Sequence, residues 1–449
     1  MKKLWEKEET NTSRLIEDFT VGQDRELDMF LAPFDVLGSI AHVKMLTKVS
    51  LLTLDESNQL IIGLQDILNE IKLGEFSLDA GVEDIHSQVE LLLTARLGEV
   101  GKKIHMARSR NDQVLLDLKL FLRHEIEGVV TEVQTFFDLL LSQSEKFKDQ
   151  LMPGYTHLQL AMPSSFGLWF GAYAESLVDD LILLEASFQI VNQNPLGSAA
   201  GFGSSFPIDR QMTTELLGFS DLCYNVVYAQ MGRGKSERVV SMGLANIAET
   251  LSRLSMDVCL FLNQNFAFIS FPDSLTTGSS IMPHKKNPDV FEIIRAKCNR
   301  MKALPNEIFM MTSNLPSGYH RDLQILKEHV FPAFHELNHC LQMATLMLRE
   351  VSVKEDLLLD KKYEHLFSVE EVNALVLKGV PFRDAYQQVG RAIADGSYKV
   401  TSTRLHHTHE GSIGNLSLSE IRHKMEHVLK RFPFAKVHAA LSALSLGGK

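Results

Sequence analysis

From Asp112 to Leu151 the chain runs forty residues without a proline and with one glycine, Gly128. Val114, Leu118, Phe121, Leu122, Ile126, Val129, Val133, Phe136, Phe137 and Leu140 recur along it at helical spacing. Read as one helix it would span about 60 Å at roughly 1.5 Å per residue. A rod that long has no core of its own and must pack along its length against others. Comparable runs follow at 166–193, 236–268, 288–314 and 322–351, the last two interrupted or kinked at Pro305 and Pro332. Five long amphipathic segments joined by short polar or Gly-rich connections predict an all-α protein. The expected architecture is a central long antiparallel helical bundle, 106–355, flanked by two smaller helical domains, 1–105 and 356–449. The run from Val239 carries Leu244, Ile247, Leu251, Leu254, Val258, Leu260 and Leu262 on more than one face. That excess of apolar surface predicts that subunits share the bundle.

Composition narrows the functional classes. At 449 residues and 45% hydrophobic the chain can bury a large core. A net charge of −11 argues against nucleic-acid partners or an anionic membrane surface, so an anionic substrate must be drawn in by a local cationic cluster. Four dispersed cysteines with no CxxC pair argue against a zinc ribbon or disulfide scaffold and fit a reducing cytoplasm. The charged N-terminus lacks the apolar core of a signal peptide, and no stretch reaches the uncharged span of about 18 residues that a bilayer requires.

Four strings carry the chemistry. Gly278-Ser-Ser-Ile-Met-Pro-His-Lys-Lys-Asn-Pro-Asp289 packs hydroxyls, ammonium groups and an amide into a flexible segment, with Pro288 placed to start a helix. It reads as a mobile loop that handles a carboxylate, or as an ordinary charged loop before a helix. Arg108-Ser-Arg-Asn-Asp112, preceded by Glu83-Asp-Ile-His86, puts two guanidiniums, a hydroxyl and an amide at the entrance to the longest helix. Guanidinium is a planar fork that matches a carboxylate. A capping motif with Ser109 or Asn111 explains the same residues equally well. Met152-Pro-Gly-Tyr-Thr-His-Leu-Gln159 sets His157 in a turn between long helices. Imidazole suits a general acid or proton relay if a carboxylate orients it, and Glu292 is a candidate partner. In 314–327, Gln324 and Lys327 fall on one helix face with Tyr319 in the loop before it.

The twelve-residue loop resembles the signature of the fumarase and aspartase superfamily. With EDIH, RSRNDQV, PGYTHLQ and NPLGSAAGFGSSFPIDR, in order along most of the chain, the set is more similar to the argininosuccinate lyases than to other branches. The resemblance implies cleavage of argininosuccinate to arginine and fumarate, without a metal or organic cofactor. It implies Ser279 as the base that takes the Cβ proton, Lys285 and Asn287 as holders of the carboxylate that becomes an enolate, and His157, paired with Glu292, in proton delivery. It further implies Ser39, His86, Arg110, Asn111, Thr156, Tyr319, Gln324 and Lys327 around the substrate, and a homotetramer whose subunits share each site. The chain departs from the pattern at Met106, His284, Ile325, Leu326 and the segment Val227 to Lys235, which is usually aspartate-rich; these departures are expected around the pocket. Two alternatives stand beside this reading: the same elimination on another succinyl amine, and a structural homologue without catalysis. Retention of Ser279, His157, Lys285, Asn287 and Glu292 argues against the second.

Overall fold

The computed structural model describes residues 14–79, 81–403, 405 and 407–445. Most of the charged N-terminal segment read for a leader therefore lies outside the described residues. Short helices α1 (Arg14–Val21) and α2 (Asp24–Asp28) lead into α3 (Ala32–Lys48), α4 (Leu54–Leu73) and α5 (Ile85–Leu97). The boundaries of α4 are legible in its ends. Thr53 and Glu56 form a reciprocal capping box, and Gly74 closes the helix in the left-handed conformation at φ 73°.

The forty-residue run is one helix, α6 (Arg110–Lys146), 37 residues long. A hairpin of β1 (Leu151–Thr156) and β2 (Gln159–Ser165) joins it to α7 (Phe166–Val191). The strand pair β3 (Gln193–Asn194) and β4 (Asp221–Leu222), with α8 (Arg210–Leu216) between, and then α9 (Val226–Met231), lead to α10 (Lys235–Leu262). After β5 (Ile269–Ser270) come α11 (Asp289–Met301), α12 (Leu304–Met311) and α13 (Leu326–Arg349). Pro305 interrupts as expected, because it falls in the first turn of α12 where its missing N–H is harmless. Pro332 lies inside α13, which continues through it. Strand β6 (Ser352–Val353) pairs with β5, and α14 (Ser368–Leu377), α15 (Phe382–Ala394), α16 (Leu418–Leu429) and α17 (Phe434–Ser445) complete the chain.

Side-chain bonds between helices give the directions of the rods. Ser144 bonds the carbonyl of Gly167 at 2.5 Å, and Arg123 bonds Asn192 at 3.0 Å, so α6 and α7 are antiparallel. Trp169 and Tyr173 reach Asp257, and Asp180 reaches Asn246 and Thr250, so α7 and α10 are antiparallel too. Gln143 meets the carbonyl of Leu348 while Phe121 stacks near Phe331, so α13 runs alongside α6 in the same direction. The core is one contiguous apolar cluster along these rods, with a small separate cluster of Val372, Ala385 and Val389 near the C-terminus. Large apolar side chains nevertheless stay exposed on them, among them Ile182 and Leu183 of α7 and Met242 and Met256 of α10. No helix among the described residues is long and apolar enough to cross a membrane.

Candidate active site

A cavity of about 250 Å³ opens where the start of α6 meets α2, α5 and the stretch before α13. Six of the eight expected substrate residues line it: His86, Arg110, Asn111, Tyr319, Gln324 and Lys327. Local capping explains how they get there. Ser109 accepts from the Asn111 N–H at 3.3 Å, and Asp112 accepts from the Ser109 N–H at 2.9 Å, which fixes the first turn of α6 and points Arg110 and Asn111 at the opening. The second oxygen of Asp112 accepts from the N–H groups of Gly197 and Ala199, both at 2.9 Å, so the Gly-rich loop is tied to the same turn. Capping and ligand placement, left open by the sequence, are here one arrangement.

The electrostatics of the wall are set by buried carboxylates. His86 bonds Asp35 through Nδ1 at 2.9 Å and lies 3.5 Å from Asp117. Burial alone disfavours the imidazolium, but Asp35 and Asp117 outweigh it and raise the His86 pKa to about 9. Asp117 is raised too, pushed well above the usual carboxylate range by burial and by Asp35. Donor atoms of Asp35, His86 and Asp117 lie within 4.8 Å of one another, a spacing that could hold a metal ion. The nearby buried Arg108 and the protonated His86 already supply positive charge there, so the cluster reads as a balanced ionic network.

Each cation of the cavity has a resident anion or carbonyl. Arg110 pairs with Asp84 at 3.2 Å, and Arg321 pairs with Glu83 at 3.1 Å. Lys327, 3% exposed, sits between Asp24 and Asp28 of α2. Gln324 donates to the carbonyls of Thr20 and Val21 at 3.0 and 3.3 Å. Sequence reasoning missed Asp24, Asp28, Glu83, Asp84, Arg233 and Arg321 as cavity residues. Glu83 and Asp84 lay in the EDIH string, Arg321 in the 314–327 string and Arg233 in the divergent 227–235 segment without being singled out, and Asp24 and Asp28 offered only two acids four apart on one helix face.

The remaining expected residues lie elsewhere. Ser39 is fully buried on α3, where its hydroxyl accepts from Arg108 Nη1 at 3.0 Å, behind the cavity wall. Thr156 and His157 are exposed at the tip of the β1–β2 hairpin, where the sequence predicted a turn. His157 and Leu158 form its two-residue loop with φ of 53° and 57°, the left-handed pair such a tight hairpin turn requires. The signature loop projects before α11. Asn287 donates its N–H to the Thr277 carbonyl at 2.9 Å and closes the base of the loop, while Ser279 Oγ accepts from the N–H groups of Ile281 and Met282 at 3.3 and 3.2 Å. Lys285 and Glu292 are exposed, and the side chains of Glu292 and His157 have no hydrogen-bond or ion-pair partner among the described residues. One chain therefore gathers six of the eight substrate candidates and leaves Thr156 and the five catalytic candidates outside the cavity, on exposed or half-buried positions.

The departures from the family pattern fall mostly away from this cavity. Leu326 is a core residue at 1% exposure, Ile325 points outward, Met106 packs against the core and His284 is exposed. Arg233, inside the divergent 227–235 segment, is the exception, since it lines the cavity.

Residues 3–302 match the family described as Lyase, which places this helical bundle among the lyases. The chain belongs to the argininosuccinate lyases of the fumarase and aspartase superfamily. It is 60% identical over 445 residues to the argininosuccinate lyase of Parabacteroides distasonis, covering 99% of each chain. It is 39% identical over 390 residues to that of Thermotoga neapolitana, covering 86% of this chain and 97% of the relative. Among solved structures, an EDDS lyase in complex with formate superposes with a TM-score of 0.78 at 22% identity, covering 97% and 95% of the two chains. A fumarate lyase:delta crystallin from Brucella melitensis bound to cobalt superposes with a TM-score of 0.71 at 17% identity, covering 95% and 92%. At these identities the structural matches speak to the fold alone.

Proposed function

We propose that the protein cleaves argininosuccinate to arginine and fumarate. The observation that carries this reading is near-identical length and 60% identity to an argininosuccinate lyase, together with six of the expected substrate residues meeting in one cavity. In the proposed reaction Ser279 takes a Cβ proton, the electron pair forms the new C=C bond, and the C–N bond breaks. The departing guanidine nitrogen takes a proton, with His157 assisting. Lys285 and Asn287 stabilise the enolate form of the carboxylate beside the deprotonated carbon; each preorganised contact of that kind contributes about 3 to 4 kcal/mol. The chemistry supports these residue types, because a carbon acid next to a carboxylate is weak and needs its developing charge met by fixed donors.

The complete site assembles in a homotetramer, with the Ser279 loop and the His157 hairpin reaching the cavity of another subunit. Support comes from their exposure on the single chain and from the apolar residues left uncovered on the long helices. Four free cysteines fit a cytoplasmic location. Mixing the protein with argininosuccinate and following fumarate absorbance tests the activity. Turnover of a different succinyl amine with no fumarate from argininosuccinate would replace this substrate with that one.

A further inference from the structure

A second cavity, about 180 Å³, lies beside the first at the N-terminus of α10. Its lining contains Arg233, Lys235, Arg238 and His320, with hydroxyls from Thr312 and Ser317, and no carboxylate among the described residues. In the first cavity the cations sit beside resident acids; here Lys235 and Arg238 have no ion-pair partner among the described residues. Their charges rest on aromatic rings instead, Lys235 at 5.4 Å from the Tyr228 centroid and Arg238 at 5.2 Å from that of Phe309. Arg233 is 6% exposed and lines both cavities. Its Nη2 donates to the Leu323 carbonyl at 3.0 Å, its Nε has no hydrogen-bond partner, and the facing carboxylate, Glu237, lies 3.8 Å away. Gly232 and Gly234 flank it; at φ 78° Gly234 gives the bend, and a Cβ there would meet Thr312 at 2.7 Å.

We propose that this cavity binds a small polyanion of the phosphate or dicarboxylate type. In a chain of net charge −11, a concave surface of this size lined by four basic side chains and no acid concentrates anions. The start of a 28-residue helix adds its dipole to that field. Arg233 couples the two cavities: an anion drawn to its guanidinium from the second cavity diminishes its attraction for a carboxylate in the first. That coupling rests on the substrate assignment above; the binding site does not.

Titration calorimetry on the full-length protein tests it, with inorganic phosphate in one arm and malonate in the other, at low ionic strength. Phosphate or malonate heat is expected in the wild type, weakened by added salt and by at least about tenfold in the Lys235→Gln/Arg238→Gln double variant. Gln324→Ala, in the first cavity, is expected to keep it. Charge reversal by Lys235→Glu provides a second route should the double variant misfold. Silence from both anions in the wild type overturns the proposal, as does binding that survives in the double variant and disappears in Gln324→Ala. In the turnover assay the bound anion is expected to raise KM for argininosuccinate at unchanged kcat, and to do so only where Lys235 and Arg238 are present. An unchanged KM alongside intact calorimetric binding would refute the coupling alone.

Discussion

Asp24→Asn isolates the electrostatic tension in the first cavity. Asp24 shares Lys327 with Asp28, and burial, opposed by Lys327 but reinforced by Asp28, raises its pKa from an ordinary 3.8 to about 6. Raising a carboxyl that far costs the folded state about 3 kcal/mol once the group is ionised. The folded protein holds this proton more tightly than the unfolded chain, so the contribution of Asp24 to wild-type stability falls as pH rises from about 4 to about 6 and then levels off. Asparagine keeps the shape and cannot ionise, so the variant lacks that decline. Asp28 remains to hold Lys327. Relative to wild type the variant should gain about 2 kcal/mol or slightly more between pH 4 and pH 7, with most of the gain present by pH 6. Urea unfolding followed by circular dichroism, at fixed protein concentration and at intervals across that range, measures it. Parallel stability curves for the two proteins would refute the reasoning, and so would a variant that loses stability relative to wild type as pH rises.

Ser279→Ala should lower fumarate production by about a thousandfold or more while leaving the circular dichroism spectrum and assembly state unchanged, since removing the base leaves only positioning and electrostatic catalysis; unaltered turnover would remove Ser279 as base. Leu158 is 80% exposed on its own chain with φ 57°, so Leu158→Gly relieves backbone strain without losing packing within that chain and should stabilise the protein by about 1 kcal/mol in thermal or urea unfolding. Gly101→Ala should do the opposite and cost about 1 to 3 kcal/mol, because its Cβ would fall 2.4 Å from the backbone oxygen of Leu93, an atom that cannot rotate away.

What could be read from the sequence was whatever is encoded locally. The absence of proline across Asp112–Leu151 sufficed to give α6, because a continuous apolar stripe on an uninterrupted run has few other folds available. A cap at Ser109 or Asn111 was likewise readable at the start of that helix, and the structure makes it Ser109, with Asp112 completing the box. The cavity was legible only in its halves. Arg110, Asn111, Tyr319, Gln324 and Lys327 carry recognisable strings, but the partners that set their charge, Asp84, Asp24 and Asp28, come from segments whose pairing depends on tertiary packing. Ser39 shows the limit from the other side. A serine in a family-like string reads as a ligand, yet its place on the fully buried face of α3 puts its hydroxyl on Arg108. Arg233 is the converse, a buried guanidinium whose Nε makes no hydrogen bond among the described residues, in a segment that matched no motif. Patterning reports which faces are apolar and where helices begin, whereas the pairing of charges is decided by what the finished bundle encloses. A side chain such as Arg233 that departs from the family string and still lines both cavities is therefore where this chain's own binding preferences are to be sought.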